Sequence, residues 1–440
     1  MLPCRFAICL FSVLLTAAWT HAQGVDLTEA PLADRFFKNE LAMELDGKIT
    51  IKQAGKDQTY PHKARAKHVF LERYLDAGAT VADKVARYYA IAESTMIFNN
   101  NDSSKRSLPE KRRFLVAHRI KGHVVSFSPD GALTRDEIEL TEHLDTMALG
   151  GLLPGKTVDL GATWTVPNAA VLALCELDGI VSQKLTGTLV SVRDQLASIK
   201  LTGTIQGINL GAEVAMVVNA ELVFDIKQQR VVSLLWNEKD DRQQGPITPA
   251  LTADVTIKLT RTVIEEPEQL NKFAMVKVPT TATPPSDLTM IRHEDAKQRF
   301  EMKHAREWHV TSPEDSPQLV MRYLERGDFL AQVTATAWKK IDVKNVISLD
   351  GFADEMAKTP GWTETKEIER KQLKDTAKGH HLVYRVAATG ELDGTRTVQY
   401  FYLIVSPRGE QLIVTFSVVP QHVERLGVRD LDLIREIVLP

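Results

Sequence analysis

Cysteine is nearly absent from this chain of 440 residues, which contains three. Cys4 and Cys9 lie within the first 22 residues, so Cys175 is the single cysteine of the remaining chain. One cysteine cannot form an intramolecular disulfide, even in an oxidising compartment. The stability of the fold must therefore come from a packed core.

Long apolar runs are also missing. The apolar stretch at residues 6–18 is shorter than the roughly 20 residues that a membrane-spanning helix needs. Arg5 precedes this stretch, and Thr20-His21-Ala22 follows it as a small-x-small cleavage site, which is typical of a secretory signal peptide. We predict a signal peptide at residues 1–22, no transmembrane segment, and an exported protein that is periplasmic or extracellular.

The common catalytic motifs are absent from the sequence, including Gly-x-Ser-x-Gly, His-Glu-x-x-His, the P-loop and the dinucleotide fingerprint. Cys175 lies among apolar residues with no cation beside it to lower the thiol pKa, so we predict a packing role. Glu238, Asp240 and Asp241 lack the spacing of a calcium loop and are interpreted as a solvated acidic loop. The sequence predicts no catalytic residue, no metal and no cofactor.

Charge is nearly balanced, with a formal net charge of −3. Aromatic residues make up 7% of the chain and do not alternate with its basic residues, which argues against single-stranded nucleic acid as a partner. We therefore predict no nucleic-acid partner.

Alternation of apolar and polar residues dominates positions 181–263. The apolar sets are Ile199, Leu201 and Ile205, then Ala220, Leu222 and Phe224, then Val231, Ser233 and Leu235, then Val255, Ile257 and Leu259. Short turns separate them, as in antiparallel hairpins. With further predicted strands at 40–53, 60–75 and 113–127, the pattern predicts a large curved antiparallel β-sheet.

Two helices are expected to cover this sheet. Thr134-Arg-Asp-Glu137 has the spacing of a capping box, and apolar residues follow at helical intervals as far as Met147. Residues 171–177 form the second predicted helix. We predict that these helices lie on one face or edge of the sheet.

The C-terminal part of the chain has a different order of elements. It comprises strands near Trp308 and Trp338, a helix at 350–358 closed by Gly361-Trp362, a hairpin turn at Asp393-Gly394, a strand at 397–405 that contains Tyr400, and a last helix at 423–437. This order and these aromatic positions resemble the PsbP-like family. The resemblance implies a small secreted α/β sandwich that supports protein assembly more often than it catalyses a reaction.

The N-terminal part resembles uncharacterised secreted bacterial β-rich proteins through the phrase Leu153-Pro-Gly-Lys-Thr-Val-Asp-Leu-Gly-Ala-Thr-Trp164. Its architecture also invites comparison with LolA-like lipid carriers. We predict an α+β protein with a β-rich domain at 26–265, a Pro/Thr linker at 266–290, and a PsbP-like domain at 291–440. A subdivision of the β-rich domain near 150 is an alternative.

Basic residues alternate along two predicted strands. Lys63, Arg65 and Lys67 share one face of the first, and Arg119, Lys121 and His123 share one face of the second. If the two strands are neighbours, their side chains form one cationic face that suits an anionic ligand. A solvated sheet face, neutralised by nearby glutamates, is the alternative.

The sequence favours a non-catalytic binding or assembly factor that contacts a protein or an anionic ligand of the cell envelope. A carrier of lipid or another apolar ligand, and an enzyme with a site in the N-terminal cleft, are the alternatives. The identity of the partner and the oligomeric state are not predicted by any feature of the sequence.

Overall fold

The computed structural model describes residues 24–440 except 30–31, 54, 78–81, 121, 314 and 375–378. The predicted signal peptide and Lys121 lie outside the described residues. The N-terminal part contains β1 (Val25–Asp26), β2 (Phe36–Gln53), β3 (Lys56–Ala77), β4 (Ala82–Phe98), β5 (Asp102–Ser107), β6 (Phe114–Ile120), β7 (His123–Phe127), β8 (Leu133–Thr134), α1 (Arg135–Thr141), β9 (Thr157–Val158), β10 (Thr163–Thr165), α2 (Asn168–Leu174), β11 (Gly179–Gln183), β12 (Thr186–Arg193), β13 (Leu196–Asn209), β14 (Ala212–Asp225), β15 (Arg230–Arg242) and β16 (Ala250–Ile264).

Thirteen of these strands form one antiparallel sheet in the order β10-β12-β13-β14-β15-β16-β2-β3-β4-β6-β7, with β11 on β13 and β5 on β4. Alternate residues of β14 are buried and exposed along almost its whole length, because its two faces meet different surroundings. The buried side, here called the inner face, carries Leu201, Val218, Ala220 and Trp236 of the largest apolar cluster. The predicted α+β fold with a large antiparallel sheet is confirmed.

Residues 133–177, here called the covering segment, pack on the inner face. The capping box predicted at its start is present, since Thr134 Oγ1 accepts from the Glu137 amide and the Glu137 side chain accepts from the Thr134 amide. Helix α1 ends at Thr141, earlier than expected, and a 3-10 helix at Thr146–Leu152 carries the chain on. Leu149 and Leu152 of this turn are fully buried in the sheet's main apolar cluster.

The C-terminal part contains α3 (Ser286–Thr289), β17 (Ile291–Glu294), β18 (Glu301–His304), β19 (Trp308–Val310), β20 (Gln318–Glu325), β21 (Asp328–Trp338), α4 (Leu349–Met356), β22 (Trp362–Gln372), β23 (Leu382–Leu392), β24 (Thr395–Val405), β25 (Gln411–Val418), α5 (Val423–Leu426), α6 (Arg429–Arg435) and β26 (Ile437–Val438). Its seven-stranded sheet has the order β19-β20-β21-β25-β24-β23-β22. The single last helix predicted from the sequence is two short helices, because Gly427 breaks it at a φ of +59°.

The two parts of the chain contact each other at several points. Strand β17 pairs with β8 in parallel, and Arg306 donates to the carbonyl oxygen of Ser126. The turn between β13 and β14 meets the turn between β20 and β21 at Gly211 and Gly327, which both have positive φ. A Cβ atom at position 211 would lie 2.4 Å from the carbonyl oxygen of Gly327. The two backbones therefore touch directly, while the domain boundaries stay a prediction.

The segment at 266–290, predicted as a Pro/Thr linker, is anchored to the sheet by two apolar side chains, while most of its other residues are exposed or half-buried. Leu270 is fully buried and Val278 is almost fully buried against Phe114 and Phe127 on the outer face. Arg73 also donates to the Leu270 carbonyl oxygen at 2.8 Å. Short 3-10 turns at Glu268–Leu270 and Ala274–Lys277 direct these apolar side chains towards the sheet. The linker prediction rested on the prolines and threonines farther along the chain and missed these turns.

Replacing Leu270 with alanine should lower the free energy of unfolding by about 2–5 kcal/mol, because the change leaves a cavity in this cluster. Phe273→Ala in the same segment is the matched control. Its side chain is 74% exposed, so the free energy should change by no more than about 0.5 kcal/mol. Chemical denaturation of both variants measures the difference, and equal losses would show that the segment does not dock as described.

Two strand assignments also needed correction. The predicted strand at 113–127 is two strands, β6 and β7, which pair with each other. Strand β4 was not predicted, although it pairs with β3 over most of its length. Among the described residues, no helix is both long enough and apolar enough to cross a membrane.

Candidate functional site

An apolar cavity lies between the inner face and helix α1. It has a volume of about 230 Å³. Its apolar lining consists of Met43 and Leu45 from β2, Ala64 and Ala66 from β3, Met96 from β4, Val255 from β16 and Leu140 from α1. Polar and charged residues complete the lining: Glu44, Arg65, His68, Ser94, Arg106, Glu139 and Glu142. The cavity therefore spans four neighbouring strands where the covering segment does not fill the space above them.

Small side chains create this cavity. Ala66 lies between Met43 and Ser94 in the sheet register, and Ala64 lies between Leu45 and Met96. Further along the same face of β3, His68 and Phe70 are large and the packing is complete. The alternation of alanine with Lys63, Arg65 and Lys67 thus turns small apolar residues inward and charged residues outward.

A buried polar cluster fastens the covering segment beside the cavity. Arg87 Nε donates to Glu72 Oε2 at 2.8 Å, and both side chains are almost completely buried. Thr146 of the covering segment donates to the same carboxylate oxygen at 2.7 Å and accepts from Arg87 Nη2 at 3.0 Å. A buried ion pair needs further hydrogen bonds to offset the free-energy cost of its desolvation. The two hydrogen bonds of Thr146 supply them, and they fix the covering segment in place.

Two buried histidines make similar contacts. His68 Nε2 lies 2.7 Å from the carbonyl oxygen of Leu140, which can only accept, so this nitrogen donates. His143 Nδ1 donates to the Leu144 carbonyl oxygen at 3.0 Å, which leaves Nε2 to accept from the Tyr89 hydroxyl at 2.9 Å. Desolvation lowers the pKa of both histidines. Both rings are therefore held neutral as links between the covering segment and the sheet.

Arg119, a predicted ligand-binding residue, is also one of these links. Its guanidinium pairs with Asp145 of the covering segment at 2.5 Å, and the two side chains are 12% and 7% exposed. His123 is exposed at the start of β7. Neither residue lies beside the predicted cations of β3.

The predicted single cationic face is wrong in its geometry, because β4 separates β3 from β6. His118 is opposite Lys84 on β4, whereas Arg65 is opposite Thr95. Eleven residues of strand separate these two positions, which is roughly 35 Å. The structure brings together Lys63, Arg65 and Lys67 alone, and a ligand-binding role for any of the predicted residues stays a prediction.

The cations of β3 have partners on the outer face. Lys63 pairs with Asp46 of β2 at 2.9 Å, and Arg65 lies 3.8 Å from Glu44. All four side chains are more than half exposed. These are solvated cross-strand pairs, which contribute little to stability.

Arg119→Ala should lower the free energy of unfolding by about 3–5 kcal/mol, because it leaves the buried Asp145 carboxylate without its partner. Lys63→Ala, the matched control, removes an exposed pair and should cost about 0–1 kcal/mol. Urea denaturation of the two variants would measure the contrast. A small loss for Arg119→Ala would contradict its role in fastening the covering segment.

Strand β15 adds carboxylates to the inner face, which corrects the expectation of a solvated acidic loop. Glu238 and Asp240 follow Trp236 on this face, while Asp241 is exposed on the other. Glu238 accepts from Trp236 Nε1 at 2.7 Å and lies opposite Val255 of the apolar cavity. Desolvation, and for Glu238 also repulsion by Asp240, raises the pKa of both carboxyl groups.

Cys175 is buried in the main apolar cluster, as the sequence predicts. Desolvation and neighbouring carboxylates raise the pKa of its thiol, which disfavours a reactive thiolate. In the described part of the chain, no group of three or more His, Cys, Asp or Glu side chains is placed to hold a metal ion.

Comparison with known proteins finds no matching protein-family model and no match among curated proteins. Among solved structures, cyanobacterial PsbP (CyanoP) from Synechocystis matches with 13% identity and a TM-score of 0.26, over 34% of this chain and 92% of that one. Lipovitellin matches with 8% identity and a TM-score of 0.33, over 54% and 26%. A DUF1329 family protein from Desulfovibrio piger matches with 12% identity and a TM-score of 0.13, over 55% and 91%. These are weak resemblances of fold alone.

Proposed function

We propose that this chain is a non-catalytic, exported binding protein that holds an apolar ligand in the cavity between its sheet and helix α1. The observation that carries the proposal is the cavity itself, whose floor of methionine, leucine, alanine and valine side chains is bordered by polar and charged residues. When an apolar ligand covers such a surface and displaces water from it, the free energy of binding becomes more favourable by about 25 cal/mol for each Å² of apolar surface buried.

The size of the cavity fits a hydrocarbon chain. A cavity of about 150 Å³ with apolar walls is large enough to bind benzene. The cavity described here measures about 230 Å³, which gives room for a longer aliphatic segment. Methionines at 43 and 96 add adaptable walls, because their side chains are flexible and polarisable.

The polar groups beside the cavity favour binding over catalysis. His68 is bonded to a main-chain carbonyl group, Arg106 is paired with Glu139, and Arg65 lies 3.8 Å from Glu44. Each of these lining groups therefore already has a partner in the protein. The predicted signal peptide supports the part of the proposal that places the protein outside the cytoplasm.

Ala66→Phe should abolish binding of 1-octanol, because the larger side chain fills the cavity that the ligand would enter. Ala42→Phe is the matched control: Ala42 is exposed on the outer face of β2, beside Lys67 of β3. Isothermal titration calorimetry of the full chain measures binding, and thermal denaturation shows whether each variant folds. Equal binding by both folded variants would contradict the cavity as the site.

The exposed row of Lys63, Arg65 and Lys67 is a second candidate, for an anionic ligand of the cell envelope. In its favour, the side chains of Lys63 and Arg65 are 52% and 80% exposed and project from one face of one strand. Their acidic partners on β2 weaken the field, so the attraction should be modest and should be screened within about 8 Å at physiological ionic strength.

Replacing all three cations with glutamate should reduce retention on anionic liposomes at low salt by severalfold and leave the melting temperature nearly unchanged. The control reverses three exposed lysines of the C-terminal part, Lys339, Lys340 and Lys344. Co-sedimentation measures retention. The same retention for both triple variants would rule out this row as an anion-binding surface.

A further inference from the structure

The inner face stays largely apolar beyond the cavity, along the same strands. Next to Leu45 and Ala64 of the cavity floor, each strand presents further residues to this face at intervals of two. This continuation is here called the apolar strip, and it consists of Gly47 and Ile49 of β2, Tyr60 and His62 of β3, Phe98 of β4 and Leu251 of β16. The strip therefore begins at the row of residues directly beside the cavity floor.

The strip has the composition of a buried surface but is not fully buried. Between its residues, Asp46, Lys48 and Lys63 are exposed on the outer face of the same strands. An antiparallel sheet with one solvated face carries polar residues on that face and apolar residues towards a core. All residues of the strip are only half-buried, whereas Leu201 and Ala220 of the same inner face are almost completely buried. The pattern of a core face is thus present where the chain supplies no complete cover.

The molecule that covers this surface must be narrow at one end. Above Met43 and Ala66, Leu140 and Glu142 of the covering segment bound the cavity, which measures about 230 Å³. A second sheet, or another copy of this chain, could cover the strip but could not enter this space. A single hydrocarbon chain fits both the cavity and the strip.

The smallest residues form a line from the cavity into the strip. Ala66 and Ala64 follow each other along the inner face of β3, and Gly47 of β2 lies diagonal to Ala64. Larger side chains flank this line, with Leu45 on one side and Met96 on the other. The floor is therefore lowest along a line one residue wide, which suits one unbranched chain.

The length of this path separates a long chain from a short one. From Met43 to Ile49, β2 rises by about 20 Å. The hydrocarbon core of a bilayer is about 30 Å thick, so the acyl chain of one membrane lipid spans about 15 Å. The cavity alone holds roughly nine carbon atoms, in proportion to the ~150 Å³ that accommodates benzene. Cavity and strip together can take a complete acyl chain.

We propose that the apolar strip is part of the ligand site, and that the ligand carries one long unbranched hydrocarbon chain of the length found in membrane lipids. The tip of the chain lies in the cavity over Ala66, and the remainder lies along the strip past Gly47 and Phe98. The inference rests on the proposed function and assigns the chemical class of its ligand.

The test is a series of probes that differ only in chain length. We expect 1-hexanol, 1-octanol, 1-decanol and 1-dodecanol, each titrated into the full chain by calorimetry below its solubility limit, to bind with rising affinity. Each methylene group that leaves water on binding should tighten the affinity about fourfold. The gain should continue as far as 1-dodecanol, because the strip covers the part of the chain that the cavity cannot hold.

Phe98→Asp places a charge on the strip in the row beside the cavity. This variant should lose the gain between 1-octanol and 1-dodecanol and keep its affinity for 1-octanol. Ile97→Asp is the matched control: Ile97 is the preceding residue of β4, is also half-buried, and lies on the outer face opposite Lys63. It should keep the whole gain. Thermal denaturation shows whether each variant folds, and the wild-type series remains a complete test if either one does not.

The outcomes separate the two proposals. If 1-octanol does not bind, the apolar-ligand function fails. If 1-octanol binds but the gain ends before 1-dodecanol, the function holds and the long-chain class is wrong. If Phe98→Asp keeps the whole gain, the assignment of the chain to the strip is overturned. A wild-type dimer in light scattering that Phe98→Asp dissociates and Ile97→Asp does not would instead make the strip an interface between copies.

Discussion

A long antiparallel sheet must bury one of its two faces, and the architecture of the N-terminal part follows from this constraint. Residues 133–177 cover β12 to β15, where the apolar side chains of the inner face, such as Leu201, Ala220 and Trp236, are almost completely buried. Over β2, β3 and β4 the same face is only half-buried at Met43, Leu45 and Met96. The proposed ligand site is therefore the part of the inner face that the chain leaves for another molecule to cover.

At the edge of this site, the covering segment is held to the sheet by polar contacts more than by apolar ones. Glu72, Arg87 and Thr146 form one hydrogen-bonded group, and Asp145 pairs with Arg119. A buried charge without its partner is costly, so this arrangement permits one placement of the covering segment and excludes its sliding along the sheet. The volume of the cavity is set by that placement, because Leu140 and Glu142 form its wall.

Local signals in the sequence predicted local structure well. The alternation along β13, β14 and β16, the capping box at Thr134 and the hairpin turn at Asp393-Gly394 are all present. These features depend on residues that are close in sequence. The docking of Leu270 depends on more distant packing and was not predicted. The helix break at Gly427 was also missed, although a glycine is a local signal for the end of a helix.

The site was harder to predict because it depends on register and strand order. A bulge between Val231 and Ser233 turns Trp236, and not Leu235, into the core. This shift also brings Glu238 and Asp240 to the inner face. Likewise, nothing in the spacing of Arg119 indicates that β4 separates it from Lys63, or that Asp145 is its partner. The alanines at 64 and 66 were the available signal for a cavity, beside the more conspicuous charges.

The contact between Gly211 and Gly327 constrains the two hairpin turns that contain these residues. Exposed hairpin turns are ordinarily the places where chains accept insertions and bulky residues during evolution. Here each turn packs directly against the other, and there is no space for a Cβ atom at position 211. An insertion in either of these two turns would disrupt the contact between the two parts of the chain. Evolutionary variation in loop length is therefore expected in other turns.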